Sequence, residues 1–205
     1  MRAVLVPVKS FRQAKLRLAE VLDNDAREQL ARELAEIVVS AARGTPVYVV
    51  CDDGSVADWA TERRATVLYA PGLGLSAAVA AGVNHLAGQG FSLAVVAHAD
   101  LPLVTDLSSF GSSSEVTLAP DRRHDGTNVA AVPTRVGFRF SYGPGSFQRH
   151  LREAERLGLR CTIVEDWRLS ADVDVPADLS LVAHPHTGAQ LAARAPTTPT
   201  TPTTS

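Results

Sequence analysis

The sequence predicts a single α/β domain with a mostly parallel, Rossmann-like sheet and helices on both faces. Short apolar runs alternate with helical patterns along the chain, as expected for a parallel sheet with crossover helices. The run Leu93–Ala97 has five consecutive apolar residues, which is typical of a strand buried on both faces. An acid, Asp100, follows that run, and ligands of open α/β sheets bind beyond the carboxyl ends of the strands.

The composition is that of an ordinary globular protein: 205 residues, 45% hydrophobic, 20% charged, with a net charge of −2. There is no long basic run for nucleic acid, and no apolar run approaches the roughly 20 residues of a membrane span. Cys51 and Cys161 form no CxxC pair, so neither a disulfide framework nor a zinc site is expected. Met1-Arg2 leads straight into the first strand, without room for a signal peptide. We therefore expect a cytoplasmic monomer or small homo-oligomer that binds neither nucleic acid nor membrane.

A cationic loop follows the first predicted strand, Ala3–Val8. The stretch from Lys9 to Leu18 has four cations and no acid. It is either a solvated loop or a cradle that offsets the charge of a polyphosphate, and its place after a strand favours the cradle. A helix is predicted from Asp23 to Arg43, with Asp25 and Glu28 as a capping pair at its start.

Two more strand–helix units precede the central strand. Val47–Cys51 is followed by a helix that Asp52 and Asp53 begin, because acids favour the positive end of the helix dipole. Thr66–Ala70 is followed by a glycine-rich loop and a helix to about Ala87, whose N-terminal N–H groups suit an anion or a base edge. The spacing Gly72-x-Gly74-x-x-Ala77, with Asp100 about 20 residues on, also resembles a dinucleotide-binding fingerprint. An NAD(P)-dependent oxidoreductase is therefore the alternative, although that fingerprint normally follows the first strand rather than the third.

The second half of the chain adds polar groups at strand and helix ends. Strands are predicted at Glu115–Ala119 and Val129–Val132, and Gly126-Thr127-Asn128 places a hydroxyl and an amide before the latter. Phe140–Phe147 opens a helix at Ser146, whose hydroxyl and backbone N–H groups suit a phosphate and are compatible with an N-cap role.

The last predicted strand, Arg160–Val164, precedes a second acidic cluster. In that cluster, Asp172-Val173-Asp174 leads into a helical turn at Pro176. Residues 185–205 end in Pro, Thr and Ser and are predicted to be a disordered tail, which leaves residues 1–184 as the folded domain.

Three stretches of the chain resemble one enzyme family. They are Pro7-Val8-Lys9 with Ala14-Lys15-x-Arg17-Leu18, then Gly126-Thr127-Asn128, and Phe140-Ser141-Tyr142-Gly143-Pro144-Gly145-Ser146-Phe147 with His150. With Asp100 after the central strand and the late acidic cluster, the chain resembles GT-A-like nucleotidyltransferases. Among these it is similar to the guanylyltransferases of coenzyme F-420 biosynthesis, which use 2-phospho-L-lactate or phosphoenolpyruvate. The resemblance runs from Met1 to about Leu181, so residues 1–184 would be a nucleotidyltransferase domain.

The resemblance implies a role for each motif. Asp100 and Asp174 would hold Mg²⁺, with Asp172 as a further candidate. The catalytic cations facing the triphosphate would be Lys9, Lys15 and Arg17. The residues accepting guanine and ribose would be Gly72, Gly74 and Ser76, and those binding a phosphorylated three-carbon acid would be Thr127, Gly143 and Ser146. Two positions depart from the family pattern, since Ser76 stands where relatives often have Asn and His98 where an acid is sometimes found.

The implied reaction is transfer of GMP from GTP to phosphoenolpyruvate, which forms enolpyruvoyl-2-diphospho-5'-guanosine and pyrophosphate. Such a reaction needs charge neutralisation and alignment rather than a covalent nucleophile, and the chain has no G-x-S-x-G motif. The Ala- and Arg-rich, Lys-poor composition indicates a high-GC bacterium, which favours phosphoenolpyruvate. The alternatives are 2-phospho-L-lactate or 3-phosphoglycerate as acceptor, or a nucleotide-binding module without catalysis.

Overall fold

The computed structural model describes residues 1–182, which contain one seven-stranded sheet. The strands are β1 (Arg2–Pro7), β2 (Val47–Cys51), β3 (Thr66–Tyr69), β4 (Leu93–Ala97), β5 (Val116–Pro120), β6 (Thr127–Pro133) and β7 (Cys161–Ile163). They lie in the order β3-β2-β1-β4-β6-β5-β7. Strand β6 is antiparallel to both of its neighbours, and the remaining pairs are parallel. The predicted mostly parallel sheet is confirmed.

Helices cover both faces of the sheet, as predicted. The α-helices are α1 (Asn24–Ser40), α2 (Gly54–Glu62), α3 (Leu75–Gly88), α4 (Ser146–Arg156) and α5 (Trp167–Ser170), and 3-10 turns lie at Phe11–Gln13, Leu16–Leu18 and Pro176–Leu181. One buried cluster joins the sheet to α1, α2 and α5, and a second joins it to α3 and α4. The predicted tail, residues 185–205, lies outside the described residues.

Successive side chains of β1 point to opposite faces of the sheet, so this one strand contributes to both buried clusters. Val4 and Val6 belong to the cluster on the α1 face, whereas Ala3 and Leu5 belong to the cluster on the α3 face. Each fully buried Val or Leu side chain contributes about 1.5–3 kcal/mol. Helix α3 lies close to the sheet because Gly82 faces Leu5, where an added Cβ would be 2.7 Å from Leu5 Cδ2.

Several local predictions were wrong. Helix α1 is capped by Asp23, whose carboxylate accepts from the N–H of Ala26 at 2.8 Å, and not by the pair Asp25 and Glu28. Ser146 is not the N-cap of α4, because Gly145 takes that position with φ of +73°. Thr127 belongs to β6 rather than to the loop before it.

Cys51 is buried and Cys161 is partly exposed, and both are free cysteines. None of the helices within residues 1–182 has the length and apolar character needed to cross a membrane.

Candidate active site

A cavity of about 600 Å³ opens at the carboxyl ends of β1 and β4. The loop after β1 forms one wall with Lys9, Lys15 and Arg17, and Asp100 lies in the segment after β4. Leu75 of α3, Gly143 and Asp174 complete the wall from three other segments. The predicted catalytic cations and both predicted metal ligands thus line one cavity at the predicted edge of the sheet.

Lys15 and Asp100 form a nearly buried ion pair at this cavity. The Lys15 ammonium lies 2.8 Å from Asp100 Oδ2 and donates to the carbonyl of Val173 at 2.6 Å. The two side chains are 10% and 25% exposed. Burial is the largest single influence and raises the pKa of Asp100. The charge of Lys15 and its hydrogen bond, with smaller contributions from other neighbours, together outweigh burial, so the pKa lies below its usual value and the carboxylate is ionised at neutral pH.

The backbone of Lys15 is in an uncommon conformation. Its φ is +56°, in the left-handed region that residues other than glycine rarely adopt. Such strain persists where surrounding contacts enforce it, and it concentrates at functional sites. The two hydrogen bonds of its ammonium hold the other end of the same residue at Asp100 and Val173.

The carboxylates are suited to a hard cation. Asp100 Oδ1 is buried and has no hydrogen-bond partner among the described residues, and such an atom is costly unless something coordinates it. Asp174 is half-exposed and pairs with Arg17. No group of three or more His, Cys, Asp or Glu able to hold a metal exists within residues 1–182. Two carboxylates nevertheless fit Mg²⁺, which usually takes one or two together with phosphate oxygens.

A hydrogen-bond network that sequence reasoning missed holds the segment of Asp174. Asp178, 6% exposed, accepts from the backbone N–H groups of Asp174 and Val175 at 2.8 and 2.9 Å. Arg122 donates to Asp178 Oδ1 at 2.6 Å and to the carbonyl of Asp172 at 3.1 Å. The signal available in the sequence is Pro176 followed by an acid two residues later, which marks the first turn of a helix.

Asp172 is partly buried and is not among the residues that line the cavity. Its Oδ1 accepts from the Asn128 amide at 3.3 Å. Burial raises the pKa of Asp172, and the negative charge of Asp100 adds to that effect. Its role as a further metal ligand stays a prediction.

The predicted acceptor residues are only partly at the cavity surface. Gly143 lines the cavity with φ of +110°, a value that favours glycine. Thr127 and Ser146 are each 1% exposed and are not part of the lining. The Thr127 hydroxyl oxygen lies 3.0 Å from Nδ1 of His150.

The predicted nucleotide-binding residues lie around the start of α3. Gly72 has φ of +77° and is exposed. Gly74 is the N-cap of α3, and as a glycine it has no side chain to accept from the first N–H groups of the helix. The hydroxyl of Ser76 accepts from the N–H of Tyr142 at 2.9 Å, which ties α3 to the loop of Gly143. None of these three residues lines the cavity, although the neighbouring Leu75 does.

His98, directly after β4, also lines the cavity. Its ring packs against Tyr142 with centroids 5.0 Å apart, and its Nε2 is buried without a partner in the described part of the chain. Burial lowers the pKa of His98 despite the negative charges of Asp100 and Asp172 nearby. The ring is therefore neutral at pH 7.

Comparison with known proteins gives consistent matches. The family model "Guanylyl transferase CofC like" matches residues 1–190. A phosphoenolpyruvate guanylyltransferase of Rubrobacter xylanophilus is 35% identical over 185 residues, which cover 86% of this chain and 90% of that protein. One from Sphaerobacter thermophilus is 33% identical, with coverages of 90% and 94%. A 2-phospho-L-lactate guanylyltransferase of Methanocaldococcus jannaschii is 26% identical, with coverages of 86% and 80%.

Several solved structures that share the fold are described as nucleotidyltransferases or nucleotide-dependent synthases. A nucleotidyl transferase from Methanothermobacter thermautotroptrophicus has a TM-score of 0.59 at 16% identity, covering 87% of this chain and 94% of that one. A 4-diphosphocytidyl-2C-methyl-D-erythritol synthase has a TM-score of 0.60 at 14% identity, with coverages of 88% and 96%. The fold is therefore the GT-A-like nucleotidyltransferase fold that the sequence predicts.

Proposed function

This chain belongs to the CofC-like guanylyl transferase family, and from that premise we propose that it transfers GMP from GTP to phosphoenolpyruvate. The products would be enolpyruvoyl-2-diphospho-5'-guanosine and pyrophosphate, in a cytoplasmic step of coenzyme F-420 biosynthesis. The relatives at 35% and 33% identity that bear the name phosphoenolpyruvate guanylyltransferase support this acceptor. The second candidate is 2-phospho-L-lactate, since relatives at 26% and 33% identity are named for it.

The observation that carries the proposal is the charge arrangement around the cavity. Lys15 contacts Asp100, Arg17 contacts Asp174, and Lys9 lies on the same wall. Cations offset the charge of a triphosphate, and carboxylates hold the cation that accompanies it. A cavity with both sets suits a metal–nucleotide complex better than either component alone.

The proposed chemistry requires little of the protein beyond orientation and charge. A phosphate oxygen of the acceptor, already ionised at pH 7, attacks the α-phosphorus of GTP in line, and pyrophosphate leaves. Lys9, Lys15 and Arg17 would stabilise the charge on the phosphates, and removing one such group typically costs about 10²–10³-fold in rate. No general base is needed, because the attacking phosphate oxygen carries no proton that must be removed.

Mg²⁺ is the cofactor we assign to this reaction, because the available ligands are hard carboxylate oxygens. Asp100 and Asp174 would hold it, and the unpartnered Oδ1 of Asp100 supports that assignment. When bound, Mg²⁺ would neutralise developing charge on the phosphates. Lys15 keeps Asp100 ionised and hence ready to coordinate.

The two substrates would occupy different loops. The start of α3, with Gly72, Gly74 and Ser76, would accept guanine and ribose through the free N–H groups of the helix N-terminus. Gly143, with Thr127 and Ser146 behind it, would accept the phosphorylated acid. The hydrogen bond from Tyr142 to Ser76 supports their cooperation, because it connects the two loops.

The test is pyrophosphate release from GTP and Mg²⁺, with phosphoenolpyruvate, 2-phospho-L-lactate and 3-phosphoglycerate supplied in parallel. We expect release with phosphoenolpyruvate and its loss in Asp100→Asn. Faster release with 2-phospho-L-lactate would favour the second candidate. Silence with all three acids in folded protein would overturn the proposal, and binding of NADH would then support the dinucleotide interpretation of Gly72–Ala77.

A further inference from the structure

His150 connects two segments that the proposed acceptor site combines. The residue lies on α4 and is 0% exposed. Its Nδ1 lies 3.0 Å from the hydroxyl oxygen of Thr127 at the start of β6. Its Nε2 accepts a hydrogen bond of 3.0 Å from the backbone N–H of Ser141, which begins the loop that reaches the cavity at Gly143.

We propose that His150 is a positioning residue for the phosphorylated acid: it fixes the Thr127 hydroxyl as a hydrogen-bond donor and holds the Ser141–Gly145 loop against β6. The inference rests on the proposed function, because it concerns the acceptor half of that site. His150 itself touches no substrate and transfers no proton.

The protonation of the ring follows from its partners. A backbone N–H can only donate, so Nε2 of His150 bears a lone pair and the single ring proton is on Nδ1. Burial lowers the pKa of His150 to about 4, with a further contribution from the positive charge of Arg149. The rings of Phe138, Phe140 and Tyr142 surround the imidazole, with centroids 5.7, 6.1 and 5.0 Å away. This packing opposes a ring flip that would exchange the two nitrogens.

The tautomer decides what Thr127 can do. Because Nδ1 donates to the hydroxyl oxygen, the hydroxyl hydrogen remains to be donated, and within residues 1–182 no acceptor takes it. Carboxylates and phosphates only accept hydrogen bonds, so an anion is the ligand that this arrangement prefers. Thr127 is 1% exposed, and a hydrogen bond shielded from water is stronger than one at the surface.

Arg149 offers a comparison within the same loop. It donates to the carbonyls of Ser141 and Pro144 at 2.9 and 2.6 Å and to the Ser141 hydroxyl at 2.8 Å. It therefore holds the loop but makes no hydrogen bond to Thr127 in the described residues. A change in substrate binding that depends on the Thr127 hydroxyl should therefore follow from substitution of His150 and not from substitution of Arg149.

The experiment is steady-state kinetics on His150→Phe, which keeps an aromatic ring in the cage and removes both hydrogen bonds. We expect KM for phosphoenolpyruvate to rise about tenfold, the usual effect of one hydrogen bond to a charged ligand. KM for GTP should stay within about twofold, because the nucleotide half of the site is untouched. His85→Phe, on the exposed side of α3, is the matched control and should leave both constants unchanged.

A double-mutant cycle tests the connection to Thr127. Thr127→Val keeps the shape and removes the hydroxyl, so it should raise the same KM. In the double variant with His150→Phe, Thr127→Val should cause no further rise in KM, because both changes break the same chain of hydrogen bonds. In the double variant with Arg149→Met, the KM increases of the two single variants should multiply. Multiplication in both cycles, or an equal rise in both KM values for His150→Phe, would overturn the role of His150.

Nitrogen NMR of the imidazole in the unmodified protein gives a readout that needs no turnover. We expect a neutral ring protonated on Nδ1 at pH 7. A ring protonated on Nε2, or a charged ring, would overturn the inference whatever the kinetics show. Absence of pyrophosphate release in the unmodified protein would instead count against the proposed function, so the two failures are distinguishable.

Discussion

Lys15→Met removes an ammonium that two acceptors share, and its cost can be derived from the structure. Lys15 donates to Asp100 at 2.8 Å and to the Val173 carbonyl at 2.6 Å, and its side chain is 10% exposed. Breaking a nearly buried ion pair typically costs about 3–5 kcal/mol, and we use the lower value of about 3 kcal/mol because Asp100 is partly hydrated. In a domain of this size about 1 kcal/mol corresponds to about 2–4 °C in Tm, so the expected loss is about 6–12 °C at pH 7.5.

The Tm loss of Lys15→Met should depend on pH, and the direction of that dependence follows from the ionisation of Asp100. In the unmodified protein the pKa of Asp100 lies below its ordinary value. Its ionised form therefore stabilises the fold at pH values above the ordinary pKa, and this stabilisation is lost as the pH falls through the lowered pKa. Burial is already the largest single influence on the pKa of Asp100, and without Lys15 to offset it we expect that pKa to rise. Ionising the buried acid then costs stability as the pH rises, so the Tm difference should shrink between pH 7.5 and pH 5.

Differential scanning calorimetry at both pH values measures this, with Arg17→Met as the matched control. Arg17 and Asp174 are 72% and 45% exposed, and such a pair contributes at most about 1 kcal/mol. The control should therefore lose no more than about 4 °C. Equal losses in the two variants, or a Lys15→Met loss that does not change with pH, would refute the reasoning.

Two further predictions address the hydrogen bonds that hold the segment of Asp174 and the packing of Gly111 against β6. Asp178→Asn replaces one of two accepting oxygens with an NH₂ group, which must face either the N–H groups of Asp174 and Val175 or the guanidinium of Arg122. The Mg²⁺ concentration for half-maximal pyrophosphate release should therefore rise severalfold. Asp166→Asn, at the cap of α5, should leave it unchanged, and an unchanged value in both would contradict the assignment. Gly111→Ala would bring a Cβ to 2.3 Å from Ala131 Cβ at φ of +75°, which should lower stability by about 3 kcal/mol. Gly137→Ala has the same sign of φ and no neighbour within 4 Å, so calorimetry should show a loss of only about 1 kcal/mol, and equal losses would contradict the steric argument.

Local sequence patterns predicted the strands. The contacts within the site join residues far apart in the chain, and local patterns do not predict such contacts. Val47–Cys51 and Leu93–Ala97 have the predicted bounds, because each apolar run is bordered by residues that end strands. The cap of α1 was placed at Asp25 instead of Asp23, since several nearby acids fit the same local pattern. The contact between Lys15 and Asp100 joins residues 85 apart, and no periodicity encodes such a contact.

The same limit explains why Asp178 and His150 were not given roles. Asp178 acts through backbone N–H groups, and His150 through partners 9 and 23 residues away. Their residue types are compatible with a solvated surface or an ordinary core. The tertiary fold decides between these environments. Asp178 is 6% exposed and His150 is 0% exposed, so both side chains depend on hydrogen-bond partners inside the protein.

The reversed strand β6 accounts for a site made from distant parts of the chain. In a parallel sheet each strand begins at the edge opposite its ligand-binding end. Because β6 is antiparallel to β4, its first residue, Thr127, lies instead at the edge where β4 ends and Asp100 begins the site. The loop after β1 supplies Lys15 to that edge, and the connection after β7 supplies Asp174. A parallel β6 would put Thr127 at the other end of the sheet, so the reversal is what brings this hydroxyl to the edge where Asp100 follows β4.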